Sequence, residues 1–267
     1  MNETKWRVAH ASAIGLAHIN QETECQDRFS CQTIETKDGE VLIAVVADGA
    51  GSTTDGQIGA EIACQFFIEG ISDFLHSQDA SVGSLNQEFG KFWISYFQKK
   101  IAGIAEENEK NIRDFASTLV GVAIGQKQAA FFQIGDGGAV FSKSGEANSY
   151  RFAITPEESE YVNVTDFLTD ETAIEKLRFE LIEERIEDLI LFSDGIFAVA
   201  VDYQTNQPHE PFLMPMMAPL RNGNRNSPDG NQDLSRKLES FLASPKINEK
   251  TDDDKTIILA SRHRNSG

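Results

Sequence analysis

Short apolar runs rich in β-branched residues recur along this chain, and most of them stop abruptly at a small or acidic residue. Apolar runs of roughly four to eight residues that end at turn-forming residues are typical of buried β-strands. A core strand is therefore predicted wherever such a run occurs. The predicted strands lie in "VLIAVVA" (41–47), "STLVGVAIG" (117–125), "AAFFQIG" (129–135), "RFELIEER" (178–185), "LILFS" (189–193) and "KTIILAS" (255–261).

Two segments carry apolar residues at helical spacing instead. In "FGKFWISYFQKKIAGI" (89–104) the apolar positions follow the i, i+3, i+4, i+7 rule, which predicts a helix with an aromatic stripe in the core. In "DGQIGAEIACQFF" (55–67), Ile58, Ile62 and Phe66 stand four apart, which favours a helix packed on a sheet. A later helix is predicted over "LSRKLESFLA" (234–243). The predicted aromatic stripe consists of Phe89, Phe92, Trp93, Tyr96, Phe97, Ile101 and Ile104.

The order of these elements indicates the fold class. Several strands come first, then two helices, then a long run of strands, so strands and helices do not alternate one to one. That order favours an antiparallel α+β layer arrangement over a parallel βαβ sheet. Residues 155–172 and 218–232 look irregular, and the Asn, Gly and Pro content of the second predicts an exposed loop. One domain over residues 1–267 is the simplest interpretation.

Net charge excludes some classes of partner. Lys and Arg number 24 and Asp and Glu 42, which gives a net charge of −18. Nucleic acid and anionic membrane surfaces are bound through Lys and Arg clusters, so neither is an expected partner. The longest apolar run is too short to span a bilayer, and the N-terminus "MNETKWRVAH" does not have the pattern of a signal peptide. We therefore expect a cytoplasmic protein.

Acidic residues stand where several of the predicted strands end or begin. Asp27 lies in "CQDRF", Asp48, Asp136 and Asp194 each stand directly before glycine, and a run of three acids (252–254) precedes the final strand. A single Asp-Gly pair is typical of a turn. Turns alone do not explain why an apolar strand runs into an acid each time. Clustered carboxylates without His or Cys suit Mg²⁺ or Mn²⁺, which prefer oxygen ligands.

The ordered set of motifs resembles the metal-dependent type 2C protein Ser/Thr phosphatases, in particular a bacterial branch. The resemblance covers roughly residues 10 to 260 and implies a four-layer α/β/β/α sandwich of two antiparallel sheets flanked by helices. Its motifs are "GLAHINQETECQDRF", "VVADGAGS", "STLVGVAI", "QIGDGGA", "LILFSDGIF" and "DDDKTIIL".

The resemblance also implies the catalytic and metal-binding residues. Asp48 would bridge two divalent cations, Mg²⁺ or Mn²⁺, and the Gly49 carbonyl would bind one of them. Asp194 and Asp253 would complete the first metal site. Two such cations lower the pKa of a water between them, which then attacks phosphorus in line.

Two further acids have lesser implied roles. Asp27 would lie near the metals as a direct or water-mediated ligand, and Asp136 would help to hold a weaker third metal. The small residues that follow Asp48 would keep the cleft open.

The chain departs from the family pattern at the position that binds substrate phosphate. The family often has an Arg a few positions before the Asp27-type acid, whereas "HINQETECQ" has none and Glu22 occupies the approximate place. His18, expected on the strand that leads to Asp27, is the nearest candidate cation. Asp254 stands where many members carry Asn, and Gln26 stands where Glu or Asn is common.

The expected function is hydrolysis of phosphoserine or phosphothreonine in a protein substrate, and a cognate kinase is a candidate partner. Two alternatives remain open at this point. One is a catalytically weak or inactive descendant that uses the fold to bind a partner, which the missing Arg favours. The other is a hydrolase of small phosphoesters.

Overall fold

Two five-stranded antiparallel sheets form the centre of the computed structural model, which describes residues 5–77, 80–146, 149–156, 165–202, 204–222 and 230–263. The first sheet has the strand order β1-β12-β9-β6-β7 and the second β2-β3-β4-β5-β8. The strands are β1 Lys5–Ala13, β2 Asp27–Thr36, β3 Gly39–Asp48, β4 Leu119–Ile124, β5 Ala129–Ile134, β6 Gly138–Lys143, β7 Arg151–Phe152, β8 Arg178–Ile182, β9 Ile186–Phe192, β10 Val201–Asp202, β11 Gln207–Pro208 and β12 Lys255–His263.

Helices cover the outer face of each sheet. α2 and α3 pack on the β2–β8 sheet, and α6 and α7 pack on the β1–β7 sheet. The α-helices are α1 Leu16–Asn20, α2 Gly56–His76, α3 Gln87–Glu107, α4 Ala173–Lys176, α5 Phe197–Ala200, α6 Glu210–Asn222, α7 Gly230–Leu242 and α8 Pro245–Asn248, with 3₁₀ turns at Val82–Ser84, Ile112–Phe115 and Asp194–Ile196.

The continuous apolar run of β3 is explained by burial on both faces. Leu42 and Val46 point between the two sheets, where they contact side chains such as Phe131 of β5. Ile43 and Val45 point the other way, into the core under α2 and α3. Alternate residues of a strand face opposite sides, so a strand between two cores is apolar throughout. The layer order is α/β/β/α, and the predicted fold class is confirmed.

The predicted core face of α2 was wrong by one position. Ile58 is 39% exposed, and Ile62 and Phe66 are only partly buried. Ala63 and Phe67 are buried instead. The helix approaches the sheet on the side of its small residues, whereas the prediction followed the large aliphatic side chains.

The aromatic stripe of α3 is narrower than predicted. Trp93, Phe97 and Ile101 are buried, but Phe92 and Tyr96 are 65% and 55% exposed. The two exposed rings contact each other, with centroids 5.4 Å apart. α3 has a core on one side only, so positions at the edge of the stripe face solvent.

The predicted loop 218–232 was also partly wrong. α6 extends to Asn222 although Pro215 and Pro219 lie inside it, and α7 begins at Gly230. Residues 223–229 lie outside the described residues, as do 157–164 of the irregular segment 155–172. One domain over residues 1–267 stays a prediction.

Candidate functional site

The β2–β3 hairpin places two of the predicted acids side by side. The register of the pair puts Asp27 directly opposite Asp48, at the open end of the hairpin. Like charges directly opposite each other on antiparallel strands repel. This pairing is therefore unfavourable unless something positive offsets it.

Asp27 is almost completely buried, and its two carboxylate oxygens have different surroundings. Its Oδ2 accepts a hydrogen bond of 2.6 Å from Ser193 Oγ, at the end of β9 in the other sheet. Its Oδ1 is buried and has no hydrogen-bond partner among the described residues. Burial raises the pKa of Asp27 to about 6, with a further contribution from the charge of Asp254. A buried carboxylate oxygen without a donor is what a cation, or a water bound to one, would satisfy.

Asp48 is fixed by its backbone while its carboxyl group faces other acids. Its N–H donates to Thr118 Oγ1 over 3.0 Å, and the Thr118 N–H donates to the Asp48 carbonyl over 2.8 Å. The pKa of Asp48 is raised well above its ordinary value, first by burial and then by the charges of Asp27, Asp194 and Asp253. Three acids from different strand ends thus act on one carboxyl group.

Asp194 begins the 3₁₀ turn that follows β9, and Asp253 lies in the loop before β12. Burial, followed by the charges of Asp253, Asp136 and Asp27, raises the pKa of Asp194 to about 8. Burial is also the main cause of the raised pKa of Asp253. The Asp254 N–H donates to Asp253 Oδ1 over 2.8 Å and holds that side chain in place.

Asp136 differs from the other acids because it is exposed. It lies in the loop between β5 and β6, and its Oδ2 accepts a hydrogen bond of 2.7 Å from Thr165 Oγ1. Its charge contributes to the raised pKa of Asp194, so it belongs to the same electrostatic cluster.

Gly49 lies where two backbone segments touch. A Cβ at this position would lie 2.2 Å from the carbonyl carbon of Gly56, at the start of α2. Glycine here lets the start of α2 pack behind Asp48, and the expectation that the small residues keep the cleft open stays a prediction. With its amide nitrogen turned inward, Gln26 donates to the carbonyls of Gly49 and Ala50 over 3.0 and 2.9 Å.

His18 lies on the short helix α1, so its predicted place on a strand was wrong. It is buried, and its Nδ1 is 2.9 Å from Asp254 Oδ2. A Cβ at Gly51 would lie 3.3 Å from His18 Nε2, which places the other ring nitrogen beside the loop after Asp48. A phosphate contact for His18 stays a prediction.

Asp254 is the residue whose importance the sequence analysis missed. Its carboxylate accepts hydrogen bonds from the N–H of Gly15, at 2.7 Å, and of Gln26, at 2.6 Å, in addition to its contact with His18. It therefore ties both ends of the segment that carries α1 to the acidic loop. The only signal in the sequence was Asp in place of the more usual Asn.

The acids form an electrostatic cluster and not a closed ligand cage. Across the described residues, no three His, Cys, Asp or Glu side chains converge closely enough to form a ready-made metal site. The largest influences on Asp48 after burial are all carboxylates. Mg²⁺ binds through one or two carboxylates and keeps several waters, so this donor set fits a hydrated divalent cation.

The structure has two facing sheets with acidic residues gathered at strand ends. This is the arrangement of the phosphatase family that the motifs resemble, and comparison with known proteins agrees. The sequence model of the protein phosphatase 2C family matches residues 14–243. This chain belongs to the protein phosphatase 2C family. The predicted family and the predicted enzyme class, a hydrolase, are confirmed.

Individual relatives align over almost the whole chain. Serine/threonine-protein phosphatase 3 of Escherichia coli (strain K12) is 34% identical over 256 residues, which cover 96% of this chain and 98% of that protein. A serine/threonine phosphatase of S. agalactiae has the same fold, with a TM-score of 0.62 at 16% identity over 96% of this chain and 99% of that one. The catalytic domain of PstP, solved in complex with 2 manganese ions, aligns with a TM-score of 0.59 at 15% identity, over 97% of this chain and 99% of that one.

No helix in the described part of the chain combines the length and apolar character needed to cross a bilayer. The cytoplasmic location stays a prediction.

Proposed function

We propose that this chain is a Mg²⁺- or Mn²⁺-dependent phosphatase that hydrolyses phosphoserine and phosphothreonine in proteins. The observation that carries the proposal is the position of Asp27 opposite Asp48, with Asp194 and Asp253 acting on the same carboxyl group. This concentration of buried negative charge costs stability unless a cation offsets it. The 34% identical relative is named as a serine/threonine-protein phosphatase, which supports the substrate class.

Four of the acids have proposed roles in holding two cations, as the PstP neighbour holds two manganese ions. Asp48 would bridge them, with the Gly49 carbonyl on one. Asp194 and Asp253 would complete the first site. Asp27 would contribute its Oδ1, directly or through water, because that oxygen is buried and no described residue donates a hydrogen bond to it. When bound, the cations supply an acidified water as nucleophile and offset charge that develops on the phosphoryl group.

The chain's own residues would hold this arrangement in place. Ser193 fixes the orientation of Asp27, and Thr118 fixes the backbone of Asp48. Asp254 fixes the loop that presents Asp253 by binding the N–H groups of Gly15 and Gln26. Such supporting contacts orient metal ligands and limit their movement.

The test is hydrolysis of a phosphothreonine peptide with Mn²⁺, with Mg²⁺, and with excess EDTA. We expect turnover with either metal, loss of turnover in EDTA and recovery when Mn²⁺ is restored. A matched assay with p-nitrophenyl phosphate separates a protein phosphatase from a hydrolase of small phosphoesters. Turnover that persists in EDTA would contradict the proposed metal dependence.

His18→Ala is expected to raise the KM for the phosphopeptide by about 10- to 100-fold. A charge-assisted hydrogen bond to phosphate contributes roughly 1.5–3 kcal/mol, and about 1.4 kcal/mol corresponds to tenfold. His76→Ala, at the exposed C-terminal end of α2, is the control and should leave KM unchanged. If His18 only anchors Asp254, His18→Ala should instead lower kcat and the melting temperature and leave KM unchanged. That result would contradict a phosphate contact.

Asp136→Asn is expected to reduce kcat by about three- to tenfold while both main metals stay bound. Asp136 is exposed and acts on the cluster through Asp194, so its removal weakens the site less than removal of a buried acid. Mn²⁺ titration by calorimetry checks this, with two tight sites expected in the variant. Loss of a tight site would contradict the proposed third-metal role.

A further inference from the structure

An open cleft lies on the outer side of the β1–β7 sheet, between α6 and α7. Its volume is about 400 Å³, which falls within the roughly 300–1,000 Å³ of typical small-molecule sites. Ala9 and Leu259, partners in the β1–β12 register, form its floor. Leu259 is five residues along the chain from Asp254, roughly 16 Å in a strand. The cleft is therefore separate from the acidic cluster.

The sequence of α6 explains why the cleft is not filled. Pro211, Pro215 and Pro219 line it at four-residue spacing, so their short, rigid rings share one side of the helix. Leu213 and Met217 are fully buried in the core against the sheet. Proline inside a helix removes a hydrogen bond and clashes with the preceding turn. Prolines inside a helix contradict its local sequence preference, and such exceptions are expected at functional or strained sites.

Among the described residues that line the cleft, the charged ones are two lysines, in a chain whose net charge is −18. Lys237 projects from α7, where it pairs with Asp233 at 2.6 Å. Lys246 lies on α8 and is exposed. The remaining lining is apolar and includes Phe212 and Met216. An apolar wall with cationic groups matches a ligand that has an apolar body and a negative group.

We propose that this cleft binds a small amphipathic anion, a molecule with an unbranched hydrocarbon chain and one carboxylate. The chain would lie against Phe212, Met216 and Phe241. The carboxylate would lie beside the ammonium group of Lys246 and would compete with the exposed Asp233 for Lys237. Burial of the chain supplies most of the affinity, since hydrophobic stabilisation follows the apolar area removed from water.

Dodecanoate is a suitable probe, and the methionines provide a site-specific readout. The chain has four, and Met216 lines the cleft while Met217, about 100° further around α6, is fully buried against the sheet. With methyl-¹³C methionine, dodecanoate below its micelle concentration should shift the Met216 signal saturably, at one ligand per chain. The Met217 signal should shift less.

Variants separate the apolar and charged parts of the cleft. Leu234→Trp fills it and should weaken dodecanoate binding at least tenfold. Lys237→Gln and Lys246→Gln should each weaken it by about two- to fivefold, the scale of an exposed ion pair. Lys99→Gln, on the exposed side of α3, should leave binding unchanged. Melting curves establish that each variant is folded, so a loss of binding reports on the cleft.

Three results would overturn the proposal. The first is a Met216 signal that dodecanoate does not shift. The second is equal binding of dodecyltrimethylammonium, which has the same chain and the opposite charge. The third is a Met216 signal that shifts with protein concentration alone, which would place a second copy of this chain in the cleft.

Discussion

Asp48→Asn is expected to reduce phosphopeptide turnover by at least about a thousandfold and to leave the fold intact. Asparagine has nearly the shape of aspartate but lacks the charge that would bridge two cations. A thousandfold loss corresponds to about 4 kcal/mol of transition-state stabilisation, on the scale of ~1.4 kcal/mol per decade. The same substitution removes a buried carboxyl group whose pKa is raised by burial and by three neighbouring acids. The metal-free variant should therefore melt at a higher temperature than the metal-free parent at pH 8.

Turnover, metal binding and melting have to be measured together on the same preparations. Asp38→Asn is the matched control, because Asp38 is an exposed acid at the turn end of the same hairpin. Its turnover should stay within about twofold of the parent, since a surface substitution away from the site has little effect. Near-parental turnover in Asp48→Asn would show that the bridging role is wrong. A lower melting temperature of that variant without metal would show that Asp48 stabilises the fold by some other contact.

The pairing of Asp27 with Asp48 depends on a hairpin register that the sequence signal alone does not give. Thr36 pairs with Gly39, which leaves Lys37 and Asp38 as a two-residue hairpin loop. Gly39 has φ +100°, a conformation that favours glycine. An Asp-Gly pair is a strong hairpin signal, but a two-residue loop of Asp38 and Gly39 would pair Lys37 with Glu40 and place Asp27 opposite Ala50. The observed loop lies one residue earlier, and that register places Asp27 opposite Asp48.

Other features could not be predicted because they depend on contacts between distant segments. Asp254 binds the backbone of Gly15 and Gln26, more than two hundred residues earlier in the chain. Nothing in the local pattern around 252–254 shows which of the three acids turns inward. α6 was missed because Pro215 and Pro219 argue against a helix, and tertiary packing of Leu213 and Met217 outweighs that local preference.

The motifs correctly predicted that the acids lie at strand ends. The burial of each acid and the charges around it were known only from the structure. In the sequence Asp136 and Asp194 look alike, since each follows an apolar strand and precedes glycine. In the structure Asp136 is exposed and bound to Thr165, whereas burial raises the pKa of Asp194 to about 8. Burial depends on what the other sheet brings to the same end of the sandwich, and local sequence does not encode that.

Removal of metal is expected to make the stability of the protein strongly dependent on pH. The pKa of Asp194 is about 8 and that of Asp27 about 6 in the folded chain, against an ordinary value of 3.8 for each. Between these values the folded state binds more protons than the unfolded state, so the free energy of unfolding decreases as pH rises. In EDTA the melting temperature should therefore fall steadily from pH 5.5 to pH 8.5.

Added Mn²⁺ should reverse this trend. Cations bind the ionised carboxylates and must displace their protons, so binding strengthens as pH rises. At a Mn²⁺ concentration about a hundred times the dissociation constant, the folded state gains roughly 2.7 kcal/mol. For a chain of this size that corresponds to an increase in melting temperature of about 5–10 °C. The increase should be larger at pH 8 than at pH 6.

The double variant Asp48→Asn, Asp194→Asn is the control that connects the effect to this site. Two of the acids with raised pKa are then absent, so the pH dependence in EDTA should flatten and Mn²⁺ should raise the melting temperature by much less. Sodium chloride at the same ionic strength corrects for general screening by salt. If Mn²⁺ raises the melting temperature of the double variant as much as that of the parent, the metal binds elsewhere. An equal melting temperature in EDTA at pH 6 and pH 8 would mean that the pKa values of these carboxyl groups are not raised in the folded chain.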